Sequence, residues 1–71
     1  MKLRYFPETD SLYIDLSPSA SVDSREIADG VVIDLDGAGN IVGIDIDHAS
    51  QKLDLQSLEF EELPLRSVKV G

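Results

Sequence analysis

The chain contains no cysteine and no tryptophan, and its single histidine is His48. Without thiols it can form neither disulfides nor thiolate metal sites. It also has no apolar run near the roughly 20 residues of a membrane-spanning helix. The basic residues at its N-terminus are not followed by the apolar segment of a signal peptide. These absences favour a cytoplasmic protein.

Basic residues are scarce as well. Six Lys and Arg stand against 14 Asp and Glu, so the formal net charge is −8. This charge repels phosphate backbones and anionic lipid, and we expect neither nucleic acid nor a membrane as a partner. It favours a basic protein partner, or it serves solubility alone.

The length and the apolar content limit the possible folds. A chain of 71 residues makes one domain, 1–71, and its 42% apolar content is too high for a disordered tail. So short a chain buries a marginal core, so we expect help from a second copy or from a partner chain.

The first 16 residues alternate between apolar and polar types around a PETD turn, which predicts a β-hairpin. A register that pairs Tyr5 with Leu12 gathers the apolar side chains on one face. The same register pairs Leu3 with Ile14. A slip of one residue would mix apolar and polar side chains throughout, so the pattern favours this register.

A second hairpin is predicted over 30–47, GVVIDLDGAGNIVGIDID, with the turn at 37–40. Six of its aliphatic residues then share the core face, and the other face carries Val32, Asp34, Asp36, Ile41, Gly43, Asp45 and Asp47. The predicted apolar pairs are Val31 with Ile46, Ile33 with Ile44, and Leu35 with Val42.

The remaining segments are less regular. Residues 22–27 indicate an extended edge segment whose charges discourage pairing with other chains. A short helix is expected near 54–60, docked on the apolar face, and residues 65–70 alternate as a final strand or an arm would. The predicted fold class is therefore α+β: a small antiparallel sheet of four to five strands, made of successive hairpins, with one short C-terminal helix on its apolar face.

The spacing of aspartates in the second hairpin imitates a calcium loop. Asp34, Asp36 and Asp45 fall at the first, third and twelfth places of an EF-hand loop. However, Ala38 offers no side-chain ligand at the fifth place, and strands rather than helices flank the segment. The three aspartates are weak metal candidates, and a plain hairpin turn is favoured.

Several carboxylates share the predicted polar face and form a candidate interaction face: Asp15, Asp34, Asp36, Asp45 and Asp47. This face can receive a basic partner, or it is the solvated side of a one-faced sheet. His48, beside Asp47, is a candidate proton carrier or ligand. No nucleophile motif and no pocket accompany it, so we predict no catalytic residues and no cofactor.

The two hairpins together resemble a known family of short bacterial and archaeal proteins, catalogued as domain of unknown function twenty-two eighty-three. The resemblance covers about residues 1–50. It implies a small antiparallel sheet with a helix and brings no activity, cofactor or catalytic residues. Some members are thought to be encoded beside small toxin-like proteins, which implies an antitoxin-like role. The matching residues are Tyr5, Pro7, Glu8, Asp10, Leu12, Tyr13, Ile14, Gly30, Asp34, Gly39, Gly43 and Ile44.

Two functions follow as hypotheses. The first is a non-enzymatic protein-interaction module, a homodimer or the acidic partner of a basic toxin-like protein. The alternative is a small metal-binding or hydrolytic protein that uses the polar face. Its residues would be Asp34, Asp36, Asp45, Asp47 and His48.

Overall fold

The computed structural model describes residues 1–71 and shows a single antiparallel sheet followed by one helical turn. This confirms the antiparallel sheet predicted from the hairpin patterns. The elements are β1 (Lys2–Phe6), β2 (Ser11–Asp15), β3 (Asp23–Ala28), β4 (Val31–Leu35), β5 (Ile41–Ile46) and α1 (Ala49–Lys52).

The strands lie in the order β1-β2-β5-β4-β3, and every neighbouring pair is antiparallel. The first hairpin has the predicted register, with Tyr5 opposite Leu12 and Leu3 opposite Ile14. The last strand of the second hairpin, β5, returns to lie beside β2. That pairing joins the two hairpins into one sheet.

The register of the second hairpin agrees with the prediction up to its last pair. Val31 faces Ile46 and Ile33 faces Ile44, but Leu35 pairs with Ile41 instead of Val42. The predicted Leu35–Val42 pair was wrong. The Asp36 amide donates to the Asn40 carbonyl at 2.9 Å. Closing the loop there leaves two residues of β5 opposite one of β4, which is a β-bulge.

The predicted edge segment is confirmed as the strand β3, whose six residues are all exposed. Its pairing with β4 shifts between Glu26 and Ala28, so Ile27 is the unpaired residue of a second bulge. Bulges and charged side chains are common protections of an edge strand.

The helix prediction was wrong in position. No helix forms at 54–60, and α1 is a four-residue turn just after β5. Backbone and side-chain atoms of Asp10 hold its start. The Asp10 carbonyl accepts from the Ala49 amide at 2.8 Å, and its carboxylate accepts from the Ser50 amide and hydroxyl. Leu53 then adopts an extended conformation, with φ −128° and ψ 152°, which ends the helix.

Residues 53–71, named here the C-terminal tail, have no helix or strand, so the strand considered for 65–70 is absent. Beyond Leu53, its hydrogen bonds only join positions two residues apart: Leu65 to Leu63, and Gln56 to Asp54. The tail therefore does not add a strand to the sheet.

The core is small. The buried hydrophobic residues are Leu12, Leu35, Val42 and Ala49. The other apolar side chains of the sheet are half-buried or exposed, because no second layer covers them. The sheet therefore has one layer. Its aliphatic face is covered only in part, beside β1, by residues of α1 and the start of the C-terminal tail, and its polar face is open.

Candidate interaction surfaces

The polar face is braced by a hydrogen-bond network across three strands. The Tyr13 hydroxyl donates to Asp34 Oδ2 at 2.7 Å, and the Ser24 hydroxyl donates to Asp34 Oδ1 at 2.6 Å. The Tyr13 side chain reaches Asp34 by crossing β5 at Gly43, where an added Cβ would overlap its phenol oxygen. Asp34 is thus an internal acceptor that joins β2, β4 and β3.

This hydrogen bond also sets the acidity of the phenol. Donation to the Asp34 carboxylate, reinforced by partial desolvation and the charges of Asp15 and Asp45, raises the pKa of Tyr13 to about 12. Tyr13 therefore stays a protonated donor throughout the physiological range.

Asp36 closes the loop of the second hairpin. Its carboxylate accepts from the Ala38 and Asn40 amides, each at 2.9 Å, and from the Asn40 side-chain amide at 3.3 Å. These donors, the Asn40 amide first, lower the pKa of Asp36 below its ordinary value. Asp36 therefore stabilises the turn, in the way that aspartates of Asx-type loops do.

Asp45 differs from Asp34 and Asp36, because no group of the chain donates a hydrogen bond to its carboxylate. Desolvation, followed by repulsion from Asp47 and Asp34, raises the pKa of Asp45. Asp47 accepts from the Ser11 hydroxyl at 3.3 Å. Asp15 lies opposite Lys2 on one side and opposite Gly43 on the other.

The structure therefore sorts the predicted acidic face into two groups. Asp34, Asp36 and Asp47 are engaged in internal hydrogen bonds, while Asp15 and Asp45 have none through their carboxylates. The chain's only ion pair within 4.0 Å joins Arg25 to Asp23 at the β3 edge, at 3.6 Å. No ion pair forms within the acidic face, although Lys2 and Arg4 of β1 lie on the same side of the sheet.

The structure does not bring the candidate metal ligands Asp34, Asp36 and Asp45 together around one point. No group of three or more His, Cys, Asp or Glu side chains is placed to hold a metal ion. His48 has left-handed backbone angles, φ 52° and ψ 44°, at the start of α1. Its charge acts on Asp10 rather than on the acidic face.

Asp10 is the polar residue that the sequence interpretation overlooked. It accepts from the Tyr5 hydroxyl at 2.7 Å and from the Ser50 hydroxyl at 2.7 Å. These bonds, that of Ser50 first, lower the pKa of Asp10. Ser50 lies 40 positions away, so no local pattern signals the contact. Asp10 itself matched the family signature, which was the one indication available.

The apolar face holds the larger open surface. A groove of about 660 Å³ runs between β1 and the start of the C-terminal tail. Leu3 and Tyr5 on its sheet side are each 45% exposed, and Leu58 on its tail side is 66% exposed. The groove is lined mainly by leucines and one tyrosine, so it suits apolar contact rather than a charged ligand.

No helix in the chain combines the length and the apolarity needed to cross a membrane. No curated protein matches the chain, and no solved structure matches it. A family model does match, over residues 2–50, which include all five strands. The chain thus belongs to the family described as Protein of unknown function (DUF2283).

Proposed function

We propose that this chain is a non-enzymatic protein-interaction module. The observation that carries the proposal is the incompletely covered sheet, which has one layer, a polar open face and an aliphatic face that the rest of the chain covers only in part. Folded monomers rarely expose contiguous apolar surface beyond a few hundred Å² unless it serves an interaction. Here the sheet face and the C-terminal tail together expose Leu3, Tyr5, Leu53, Leu55 and Leu58 beside one groove.

The acidic face supports the choice of a basic partner for the polar side of the sheet. Asp15 and Asp45 carry charge that the chain itself does not pair, and Asp45 is held in a partly desolvated place. A basic partner would relieve the repulsion between Asp45 and its neighbours Asp34 and Asp47. The resemblance to a family with members encoded beside toxin-like proteins favours an antitoxin-like role for this face.

The hydrolytic and metal-binding alternative receives no comparable support from the geometry. Asp34 and Asp36 have their oxygens occupied by hydrogen bonds from Tyr13, Ser24 and the 38–40 loop. The groove on the apolar face is remote from this set, because it opens on the opposite side of the sheet.

The test is affinity capture from a lysate of the source organism, with the full chain immobilised. The probe variant is Asp15→Asn/Asp45→Asn, which removes charge without removing an internal hydrogen bond. The matched control is Glu59→Gln/Glu61→Gln, which removes the same charge from the C-terminal tail.

The proposal predicts a basic protein that wild type and the tail variant retain, that the face variant loses, and that high salt releases. Equal retention by both variants would contradict a role for the acidic face. Failure to retain any basic protein, at low salt and with wild type, would contradict it as well.

A further inference from the structure

The apolar face of the sheet is partly exposed and can pack against another molecule. We infer that a second copy of this chain covers it, so that two sheets pack face to face through their aliphatic sides. The inference rests on the proposed function, because it treats an open face as an interaction surface, and it names the partner of that face.

Surface area is the first argument. The chain exposes 5840 Å². A folded monomer of its mass, 7.8 kDa, is expected to expose about 4,400 Å². The excess of about 1,400 Å² exceeds the roughly 800 Å² that each partner contributes to a standard interface. All residues of the C-terminal tail are exposed, so the tail contributes to this excess together with the half-buried sheet face.

Stability is the second argument, and it selects the chain itself as partner. The buried hydrophobic set is Leu12, Leu35, Val42 and Ala49, which is a very small core for a five-stranded sheet. A sheet with so little buried apolar surface is marginal alone. A second copy is present whenever the chain is made, so it can supply the missing cover without any other protein.

Charge placement is the third argument. Strand alternation sends most aliphatic residues of β2, β4 and β5 to one face and the acidic side chains of Asp15, Asp34 and Asp45 to the other. Val32, opposite Asp45, is an aliphatic residue on the acidic side.

The strand charges on the apolar side are Asp23 and Arg25 at the β3 edge, and they pair with each other. The other carboxylates near this side are Asp10, which accepts from the Tyr5 hydroxyl, and Asp54, which lines the groove beside β1. The charges on this side therefore lie towards the β1 and β3 edges of the face.

The opposite acidic faces then point outward. Packed sheets lie about 10 Å apart with their strands within roughly 30° of parallel alignment. Salt at physiological strength screens charges over a similar distance, about 8 Å. The net charge of −8 on each copy therefore does not prevent this arrangement.

One strand offers a matched pair of test positions. Leu3 and Phe6 lie in β1 and are each 45% exposed. Leu3 pairs with Ile14 on the apolar face, whereas Phe6 pairs with Ser11 on the polar face. Leu3→Lys and Phe6→Lys thus introduce the same charge at equal exposure on opposite sides of the sheet.

Sedimentation equilibrium of the full chain and both variants is the experiment. Wild type and Phe6→Lys are expected to be dimers at micromolar concentration. Leu3→Lys should weaken association by about a hundredfold, because a two-fold axis introduces the buried charge twice. Far-UV circular dichroism checks that each variant is folded.

If Leu3→Lys does not fold, a wild-type sample mixed from labelled and unlabelled chains replaces it. Intermolecular nuclear Overhauser effects should then connect the Ile33 or Ile44 methyls of one copy to the other. Their absence would overturn the inference. So would a wild type that stays monomeric at high micromolar concentration, or a Phe6→Lys variant that dissociates as much as Leu3→Lys.

The two proposals fail separately. A monomeric wild type that still loses its basic partner in Asp15→Asn/Asp45→Asn leaves the interaction module standing and removes only the second copy. A dimer that captures no basic protein removes the acidic-face partner and leaves the apolar interface.

Discussion

Tyr13 of β2 and Asp34 of β4 are bonded across the intervening strand β5, with 2.7 Å between the phenol oxygen and Oδ2. Without this bond, the Asp34 carboxylate would keep only the Ser24 hydroxyl as a donor, on an already acidic face. The bond turns it into a cross-strand brace, and Ser24 extends the brace to the edge strand β3. The polar face is therefore partly structural, and only the remaining carboxylates are available to a partner.

Removing the Tyr13 hydroxyl should destabilise the fold. We expect Tyr13→Phe to lower the free energy of unfolding by about 1.5 kcal/mol, because it deletes a hydrogen bond to a charged acceptor. Urea denaturation measures this change. Tyr5→Phe is the matched control, since the Tyr5 hydroxyl also donates at 2.7 Å, to Asp10, but at an exposed site. We expect a smaller loss there, because water competes for an exposed hydrogen bond, and equal losses in both variants would contradict the bracing role.

A side chain at Gly43 should interfere with the same brace. The methyl group of Gly43→Ala would overlap the Tyr13 phenol and displace it from Asp34. We expect a loss of about 1–3 kcal/mol in the free energy of unfolding. In a Tyr13→Ala background the same substitution should cost much less, because the space is empty. A double-mutant cycle measures this coupling, and additive losses would show that Gly43 serves another purpose.

Neutralising Asp45 should stabilise the protein near neutral pH. The folded-state pKa of Asp45 is raised by burial and by Asp47 and Asp34. Below the unfolded pKa, near 3.9, Asp45 is protonated in both states and carries no penalty. As pH rises through the folded pKa, ionisation costs stability.

We therefore expect Asp45→Asn to gain about 0.5 kcal/mol at pH 7 relative to its effect at pH 3, a gain on the scale of surface substitutions. Asp15→Asn on the same face controls for the general relief of net charge and should gain less. Denaturation curves at the two pH values give the comparison. An equal gain in stability at pH 3 and at pH 7 would contradict a raised pKa of Asp45 in the folded state.

Asp36 should show the opposite pH dependence. Hydrogen bonds from Asn40 and Ala38 lower its folded-state pKa, so its stabilising contribution is present above the unfolded pKa and is lost as pH falls through the folded one. Carboxyl-carbon nuclear magnetic resonance should show Asp36 titrating below the ordinary aspartate range, and calcium should leave that titration unchanged. An ordinary pKa that calcium shifts would favour the cation loop suggested by the spacing of Asp34, Asp36 and Asp45.

The local patterns predicted most of the sheet, because alternation and turn residues act over a few positions. Register in the first hairpin follows from the apolar residues around Tyr5 and Leu12 alone. The Leu35 pairing was missed because the hydrogen bond between Asp36 and Asn40 determines the loop length. Nothing in the alternation of the flanking strands reveals that bond.

Contacts between distant segments account for the other errors. The helical turn at Ala49 is held by Asp10, 40 positions before Ser50, so a local search placed the helix where Asp54 suggested a cap. The role of Asp34 likewise depends on β5 lying between β2 and β4, which no single hairpin pattern specifies. The sequence placed Asp34 on the polar face but could not show what it binds.

A second copy that covers the apolar face should shield it from solutes. A soluble paramagnetic probe tests this directly, through the relaxation of the Leu3 methyl protons and the Phe6 ring protons in the wild-type protein. The two side chains are equally exposed on the single chain, at 45%, and lie on opposite faces. We expect the Leu3 methyls to be protected while the Phe6 ring relaxes strongly. Equal relaxation of both would show that the apolar face is open in solution.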